Sequence, residues 1–262
     1  MQTAHTIDFL YSISGFFVGM LVGMTGVGGG SLMTPILILL FGVHPATAVG
    51  TDLLYASVTK TGGTLVHGFN HTVDWRVVGR LAAGSVPMTA LTLFVLSKFD
   101  LGAVGVQTAI TTMLSIALFV TALTLIFRRK ILSLYGSRVG ELDPRRTRQA
   151  TIAMGALLGV LVSISSVGAG AIGVTGLILL YPRMSTARIV GSDIAHAVPL
   201  TFVAGVGHWI MGSIDTHLLG SLLLGSVPGI LLGSYVAGRV PDPVLRALLA
   251  AALIIVAGKL VM

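Results

Sequence analysis

The stretch GMTGVGGGSLMTP, Gly23 to Pro35, sets five glycines into eight positions between two apolar runs. A weaker copy, SISSVGAGAIGVT, stands at Ser163 to Thr175. Alone, the first stretch fits a nucleotide loop, a flexible linker, a tight helix crossing or a break inside a membrane span. A dinucleotide fingerprint needs a strand before its glycines and a soluble βαβ unit around them. Here apolar, helix-like sequence stands on both sides. Glycine backbone deep in a bilayer is tolerated where protein or a water-filled cavity satisfies its N–H groups.

Composition decides for the membrane. Of 262 residues, 54% are hydrophobic and only 10% are charged, and the mean hydropathy is +0.97. A soluble domain carries about 25% charged residues, so this chain has too little polar surface to face water. Apolar stretches of spanning length recur, among them Leu101–Phe127, Ala150–Val167 and Val244–Met262. There is no cysteine, which excludes disulfides, thiolate metal sites and cysteine nucleophiles. MQTAHTIDFL at the start lacks the basic region of a cleaved signal peptide, so the first apolar run is expected to stay as a helix. The net charge of +7 reads as orientation by cytoplasmic Lys and Arg rather than as a nucleic-acid footprint. The few aromatics do not interleave with the basic residues as stacking platforms would.

The copy extends far beyond the glycines. At an offset of about 140, GFFVGMLV (15–22) falls on GALLGVLV (155–162), and LILL (37–40) on LILL (177–180). After a one-residue insertion, GTD (50–52) meets GSD (191–193) and GSVP (84–87) meets GSVP (225–228). His67 then pairs with His208, and Asp74 with Asp215. The chain divides into a first transmembrane repeat (1–127), a basic cytoplasmic loop (128–149) and a second transmembrane repeat (150–262). Each repeat reads as five helical segments: 8–27, 31–41, 46–68, 75–97 and 101–127, then 150–167, 171–182, 186–211, 216–238 and 243–261. The second segment of each set, about 17 Å long at 1.5 Å per residue, is short for a core about 30 Å thick. It either spans obliquely with its neighbour or forms half of a re-entrant hairpin tipped by the glycines.

Charge counting sets the orientation of the repeats. The central loop holds seven Lys and Arg residues. With an odd number of crossings per repeat, Arg76, Arg80, Arg183, Arg188, Arg239 and Arg246 join it in the cytoplasm, and only Lys98 and Lys259 fall outside. An even count would move four of these arginines outward, against the positive-inside rule. The expected fold is therefore an all-α polytopic membrane protein of two inverted repeats. Broken or short segments at matching places in inverted repeats characterise secondary transporters, with the substrate near mid-membrane where the breaks meet.

The candidate residues follow from that frame. Gly15, Gly19 and Gly23, like Gly155, Gly159 and Ser163, have the small-xxx-small spacing of close helix packing. Thr25, Gly28, Gly29, Gly30 and Ser31 in the first break, and Ser165, Ser166, Gly168 and Gly170 in the second, can offer N–H and hydroxyl donors to an anion at a half-helix N-terminus. Close packing is the competing use of these glycines. Lys60 lies well inside the third segment, where a lysine is costly and by default functional, unless it snorkels past a helix end near Gly62 and Gly63. Asp52, two turns earlier, and its counterpart Asp193 are candidates for a proton or sodium, with helix capping as the alternative. His67 and His208 should lie towards opposite membrane faces, which disfavours a shared metal; they are carried as coupling or gating candidates. Asp74 and Asp215 should cap the fourth segments, and Pro87 and Pro228 should kink them. HExxH, GxSxG and phosphoryl-transfer Asp clusters are absent, and nothing supports a Ser31/His67 pair. Neither an enzyme nor a cofactor nor a metal is expected.

GMTGVGGGSLMTPIL, AVGTDLLYASVTKTGG, HGFNHTVDW and LAAGSVPMTAL, echoed by VGAGAIGVTGLILL, IVGSDIAHA, GHWIMGSID and LLLGSVPGILLGSYVAG, resemble the TauE/SafE sulfite exporter family of membrane permeases. The likeness covers nearly the whole chain outside the central loop. It implies a secondary transporter, ion-coupled and working by alternating access in the cell inner membrane. The cargo would be sulfite, sulfoacetate, a related sulfonate or another small organic anion. The partners expected are that anion and the lipid bilayer, with no nucleic acid; the oligomeric state stays open, a homodimer among the options. Two rivals remain at this point. One is a cation or neutral-solute carrier using Asp52 and Asp193, and the other a membrane scaffold whose glycines only pack.

Overall fold

The computed structural model describes residues 9–25, 30–140, 143–236 and 242–261. Its elements are α1 (Phe9–Thr25), α2 (Gly30–Leu39), α3 (Pro45–Phe69), α4 (Trp75–Leu96), α5 (Val104–Gly140), α6 (Pro144–Ser165), α7 (Ala171–Leu180), α8 (Thr186–Ile210), α9 (Thr216–Val236) and α10 (Asp242–Val261). No strand occurs among the described residues. Five of the helices, α4, α6, α8 and the apolar parts of α5 and α9, are long and apolar enough to cross a membrane. The protein is an all-α polytopic membrane protein, and the helices fall within a few residues of the segments read from sequence except at the end of α5 and the start of α6.

Helix starts follow local chemistry. Asp74 accepts from the N–H groups of Arg76 and Val77 at the head of α4, and Asp215 from that of Leu218 at the head of α9, as expected of caps. α4 and α9 continue as helix through Pro87 and Pro228. The central basic segment departs from its reading as a loop. α5 runs on to Gly140 and α6 opens at Pro144. Between Arg128 and Gly140 there is no Pro, Asp or Asn to stop a helix, so it continues past the apolar stretch. The turn falls at ELDP, where Asp143 accepts from the Arg146 N–H at 2.7 Å and Pro144 takes the first helical turn.

Glycines set the helix pairing. α1 lies parallel to α9: Gly15 and Gly19 meet the backbone of Leu222 and Ser226, while Gly225, Gly229 and Gly233 meet that of Ser12, Phe16 and Met20. α4 lies parallel to α6 in the same way, with Gly155 on Leu81, Gly159 on Ser85 and Gly84 on Ile152. In lipid, where apolar side chains gain little by meeting each other, such backbone contact is the main source of helix association. α3 and α8 run antiparallel through the centre. Gly50 near the start of α3 lies against His208 near the end of α8, and Gly191 near the start of α8 lies against His67 near the end of α3. α5 and α10 pack together, around Leu114, Leu118, Leu249 and Leu253.

The short helices return to the side they came from. The Tyr181 hydroxyl just after α7 is 2.8 Å from the Thr151 hydroxyl in the second turn of α6. Phe41, just after α2, stacks edge-on against Tyr11 near the start of α1, with centroids 4.6 Å apart. α2 and α7 thus each fold back along the helix before them.

The two ends of the bundle differ. One, the basic end, gathers Arg76 and Arg80 of α4, Arg145, Arg146 and Arg148 of α6, and Arg188 of α8. It is tied across the two halves of the chain by Arg188 Nη2 to Asp74 Oδ2 at 3.0 Å. The Asp74 N–H donates to Ser192 Oγ at 2.8 Å, and Arg80 Nη1 donates to the Tyr181 hydroxyl at 3.1 Å. At the opposite end the Asp215 N–H donates to Thr51 Oγ1 at 3.2 Å, matching the Asp74–Ser192 bond. Thr47 occupies the place that corresponds to Arg188, so no matching ion pair forms. A cavity of about 520 Å³ opens there instead, lined in part by His44, Thr47, Asp100, Gln107 and Ser213.

Candidate functional site

The site is built on the central pair of antiparallel helices. Each of α3 and α8 has 25 residues, about 37 Å at 1.5 Å per residue. Asp52 and Asp193 each sit seven residues in from the start of their helix, about 10 Å in. Because the helices oppose each other, the two acids lie on either side of the bundle's mid-level. Lys60 stands fifteen residues into α3, about 22 Å in, which brings it near the level of Asp193.

All three groups are buried: Asp52 is 0%, Asp193 2% and Lys60 7% exposed. Neither acid is a helix cap. Lys60 does not reach a helix end, and no described carboxylate comes within 4.0 Å of its nitrogen. Asp52 Oδ2 accepts from Thr34 Oγ1 of α2 at 2.5 Å, while Oδ1 has no hydrogen-bond partner. Asp193 Oδ1 is likewise unpartnered and rests directly on the backbone of Gly173, where any Cβ would collide with it.

The second glycine break meets this cluster. α6 ends with Ser166 in the left-handed region at φ 58°, its N–H donating to Val162 O, and its hydroxyl lies beside Asp52. Ser165 Oγ donates to Leu161 O at 2.7 Å and accepts from the Val167 N–H at 3.2 Å. Gly168, at φ +120°, turns the chain, a conformation that only glycine reaches without strain. Gly170 then starts α7 with no side chain capping its first turn. Residues 165–170 are buried throughout. In the first break α1 ends at Thr25 and α2 begins at Gly30. Gly28 and Gly29 lie outside the described residues. Ser31 is buried at the head of α2.

His67 and His208 stand apart from the cluster and from each other. His67 Nδ1 is 2.8 Å from Thr72 Oγ1 at the basic end, and His208 Nε2 is 2.9 Å from Ser163 O towards the other. Both hold turns or helix ends, as their expected separation implied.

Four residues of the centre were not anticipated. His196, wholly buried on α8, has Nε2 at 2.9 Å from Ser85 Oγ, and its Nδ1 is unpartnered. Tyr55, wholly buried on α3, lies against Ser226. At the offset that aligns Asp52 with Asp193, Tyr55 aligns with His196 and Ser85 with Ser226. The two contacts are thus one contact made twice, and the same alignment held the signal that could have found them.

The order and spacing of these motifs match the family model of the sulfite exporter TauE/SafE across residues 11–260. The chain belongs to the TauE/SafE family. It is also 37% identical over 212 residues to the probable membrane transporter protein YjnA of Bacillus subtilis (strain 168), covering 80% of this chain and 83% of the relative. A second protein of that organism, the probable membrane transporter protein YdhB, is 26% identical over 212 residues, 79% of this chain and 81% of its own. No solved structure matches. As a TauE/SafE protein the chain is a multi-pass membrane transporter.

Proposed function

We propose that this transporter moves a small sulfur-containing or organic anion, such as sulfite, sulfoacetate or a related sulfonate, across the cell inner membrane. Transport is coupled to an ion and proceeds by alternating access. The observation that carries the proposal is the buried cluster of Lys60, Asp52 and Asp193 with unpartnered polar atoms, Asp193 lying against the first turn of the uncapped half-helix α7. A lysine held this far inside a bilayer binds a counter-charge or a substrate, and the open N–H groups of α7 favour an anion. The family name agrees with this cargo class.

The two repeats act as inverted units. The matched pairings of α1 with α9 and α4 with α6, and the antiparallel α3 and α8, support that reading. The cavity of about 520 Å³ at one end, set against the Arg188–Asp74 tie at the other, suits a state open to a single side. The gathering of arginines at the tied end supports a cytoplasmic position for that end and for segment 128–149. Because the chain has no native cysteine, single cysteines report sidedness directly. In intact cells an impermeant maleimide should label Asp100→Cys, and should label His71→Cys or Arg145→Cys only after lysis. The reverse pattern would overturn the orientation.

The direct test is flux of labelled sulfite and of a panel of sulfonates in proteoliposomes. Saturable uptake above protein-free vesicles is expected. A specific observation favours one rival, since two buried acids outnumber one buried lysine. Uptake of monovalent cations that no sulfur anion alters would replace the anion reading with a cation carrier.

A further inference from the structure

The acids and the lysine of the centre do not balance. With all three ionised the cluster has a formal charge of −1, and Lys60 stands level with Asp193 rather than with Asp52. Lys60 acts on both acids but lies nearer the level of Asp193, so one lysine leaves Asp52 the less compensated of the two. Thr34 Oγ1 donates to Oδ2 at 2.5 Å, and Oδ1 makes no hydrogen bond within 3.5 Å. The neighbouring Ser166 hydroxyl faces the Asp52 carboxylate, is also buried and makes no other hydrogen bond. Tyr55 faces Ser226, and His196, on the Lys60 side of the cluster, is engaged by Ser85.

A buried carboxylate oxygen beside a buried hydroxyl offers what a hard cation requires: oxygen donors in a site closed to water. The helix geometry agrees. α6 ends at Ser166, so the negative end of its dipole and its last carbonyls face the same spot. Unwound backbone and half-helix C-termini are where secondary transporters coordinate sodium. One carboxylate with neutral oxygens suits a single positive charge, and a divalent ion would leave the pocket over-charged.

We propose that Asp52 Oδ1 and Ser166 Oγ, with Thr34 fixing the carboxylate, form a sodium site whose occupancy makes anion binding beside Lys60 favourable. This rests on the transport reading above and names its coupling ion. An anion entering an already negative cluster is repelled, whereas one entering beside a sodium-neutralised Asp52 meets Lys60 and the α7 N-terminus alone. By linkage, sodium and substrate must raise each other's affinity by the same factor. A factor of about 5–150 is the usual range for such coupling. One sodium per anion is the stoichiometry that the charges dictate.

The test uses the full chain, purified in detergent, with radiolabelled sodium at fixed pH and with sulfite as the anion probe. Saturable sodium binding is expected in the native protein, and loss of it in Asp52→Asn. Ser166→Gly should weaken it about tenfold. That substitution removes the hydroxyl while suiting the left-handed backbone at φ 58°, so loss of folding does not explain its effect. Asp143→Asn, at an exposed helix cap, should bind as the native protein does. Absence of saturable sodium binding in the native protein, or unchanged binding in Asp52→Asn, would overturn the site. So would sulfite binding that follows pH and ignores sodium, since a proton would then occupy Asp52. Sodium binding at Asp52 that no sulfur anion affects leaves the cation site standing and removes the anion reading, so the two failures are distinguishable.

Discussion

Lys60→Met is expected to reduce substrate flux in proteoliposomes by at least about 100-fold. Removing one member of a buried charge set leaves its partners uncompensated, which costs about 3–5 kcal/mol, and 1.4 kcal/mol is a factor of ten in binding. Methionine keeps most of the volume, so the change acts through charge. The effect has two separable parts. Asp193 becomes a buried acid with no cation near its level, which lowers the stability of the fold. The anion loses its only fixed cation in the centre, which lowers binding. Lys60→Met combined with Asp193→Asn should recover thermal stability, because no unpaired charge then remains there. Flux should stay at background. Flux within twofold of native in the single variant would mean that Lys60 faces neither substrate nor coupling acid. Recovery of flux in the double variant would assign Lys60 to structure alone.

Gly84→Ala and Gly225→Ala should be the most damaging single-methyl changes in the bundle. An added Cβ at Gly84 would enter the backbone carbonyl of Ile152, and one at Gly225 that of Ser12, both closer than the 3.0 Å that Cβ atoms respect. Backbone cannot rotate aside as a side chain can, so the paired helices must separate along their length. Overpacking of this kind costs about 1–3 kcal/mol and occasionally more. For a chain of this size that is a fall in melting temperature of roughly 2–12 °C. The internal controls are Gly79→Ala and Gly220→Ala, one to two turns away on the same helices, where an added Cβ meets nothing within 4 Å. These should be neutral or slightly stabilising, since alanine is the better helix former. Equal melting curves for the two sets would show that α1–α9 and α4–α6 are not held by backbone contact.

The two predictions draw on different kinds of information. The glycines at 84 and 225 could be picked out from the repeated GSVP, because packing in lipid needs small residues at fixed spacing and leaves that trace in a single chain. Their partners could not, since nothing in either sequence window says that α1 meets α9 and α4 meets α6. Asp74 and Asp215 were legible as caps because a cap depends on residues two or three positions away. Asp52 and Asp193 carried two readings, cap or buried acid. The choice turned on where each helix begins, and on what stands beside it from another helix. Much of segment 128–149 is helical, because charge alone does not end a helix.

His196 and Tyr55 show the limit from the other side. Each lies three residues beyond an acid already noticed, yet histidine and tyrosine among apolar neighbours look like ordinary core residues until Ser85 and Ser226 are brought to them by α4 and α9. Gly173 is similar: its need to be glycine comes from the Asp193 carboxylate resting on its backbone.

By itself the sequence determined that the chain lives in a membrane, that it is helical, that it repeats, and where ten helices lie. Each of these depends on hydrophobicity or on contacts a few residues apart, which one chain records locally. Only the tertiary structure decided that the short helices turn back, that Lys60 stands with Asp193 rather than Asp52, and that Ser166 faces Asp52. The first follows from contacts thirty residues apart and the other two from helices more than a hundred residues apart, and burial gives such contacts their strength, because in a low dielectric an unpartnered oxygen or an uneven charge cannot be left to water.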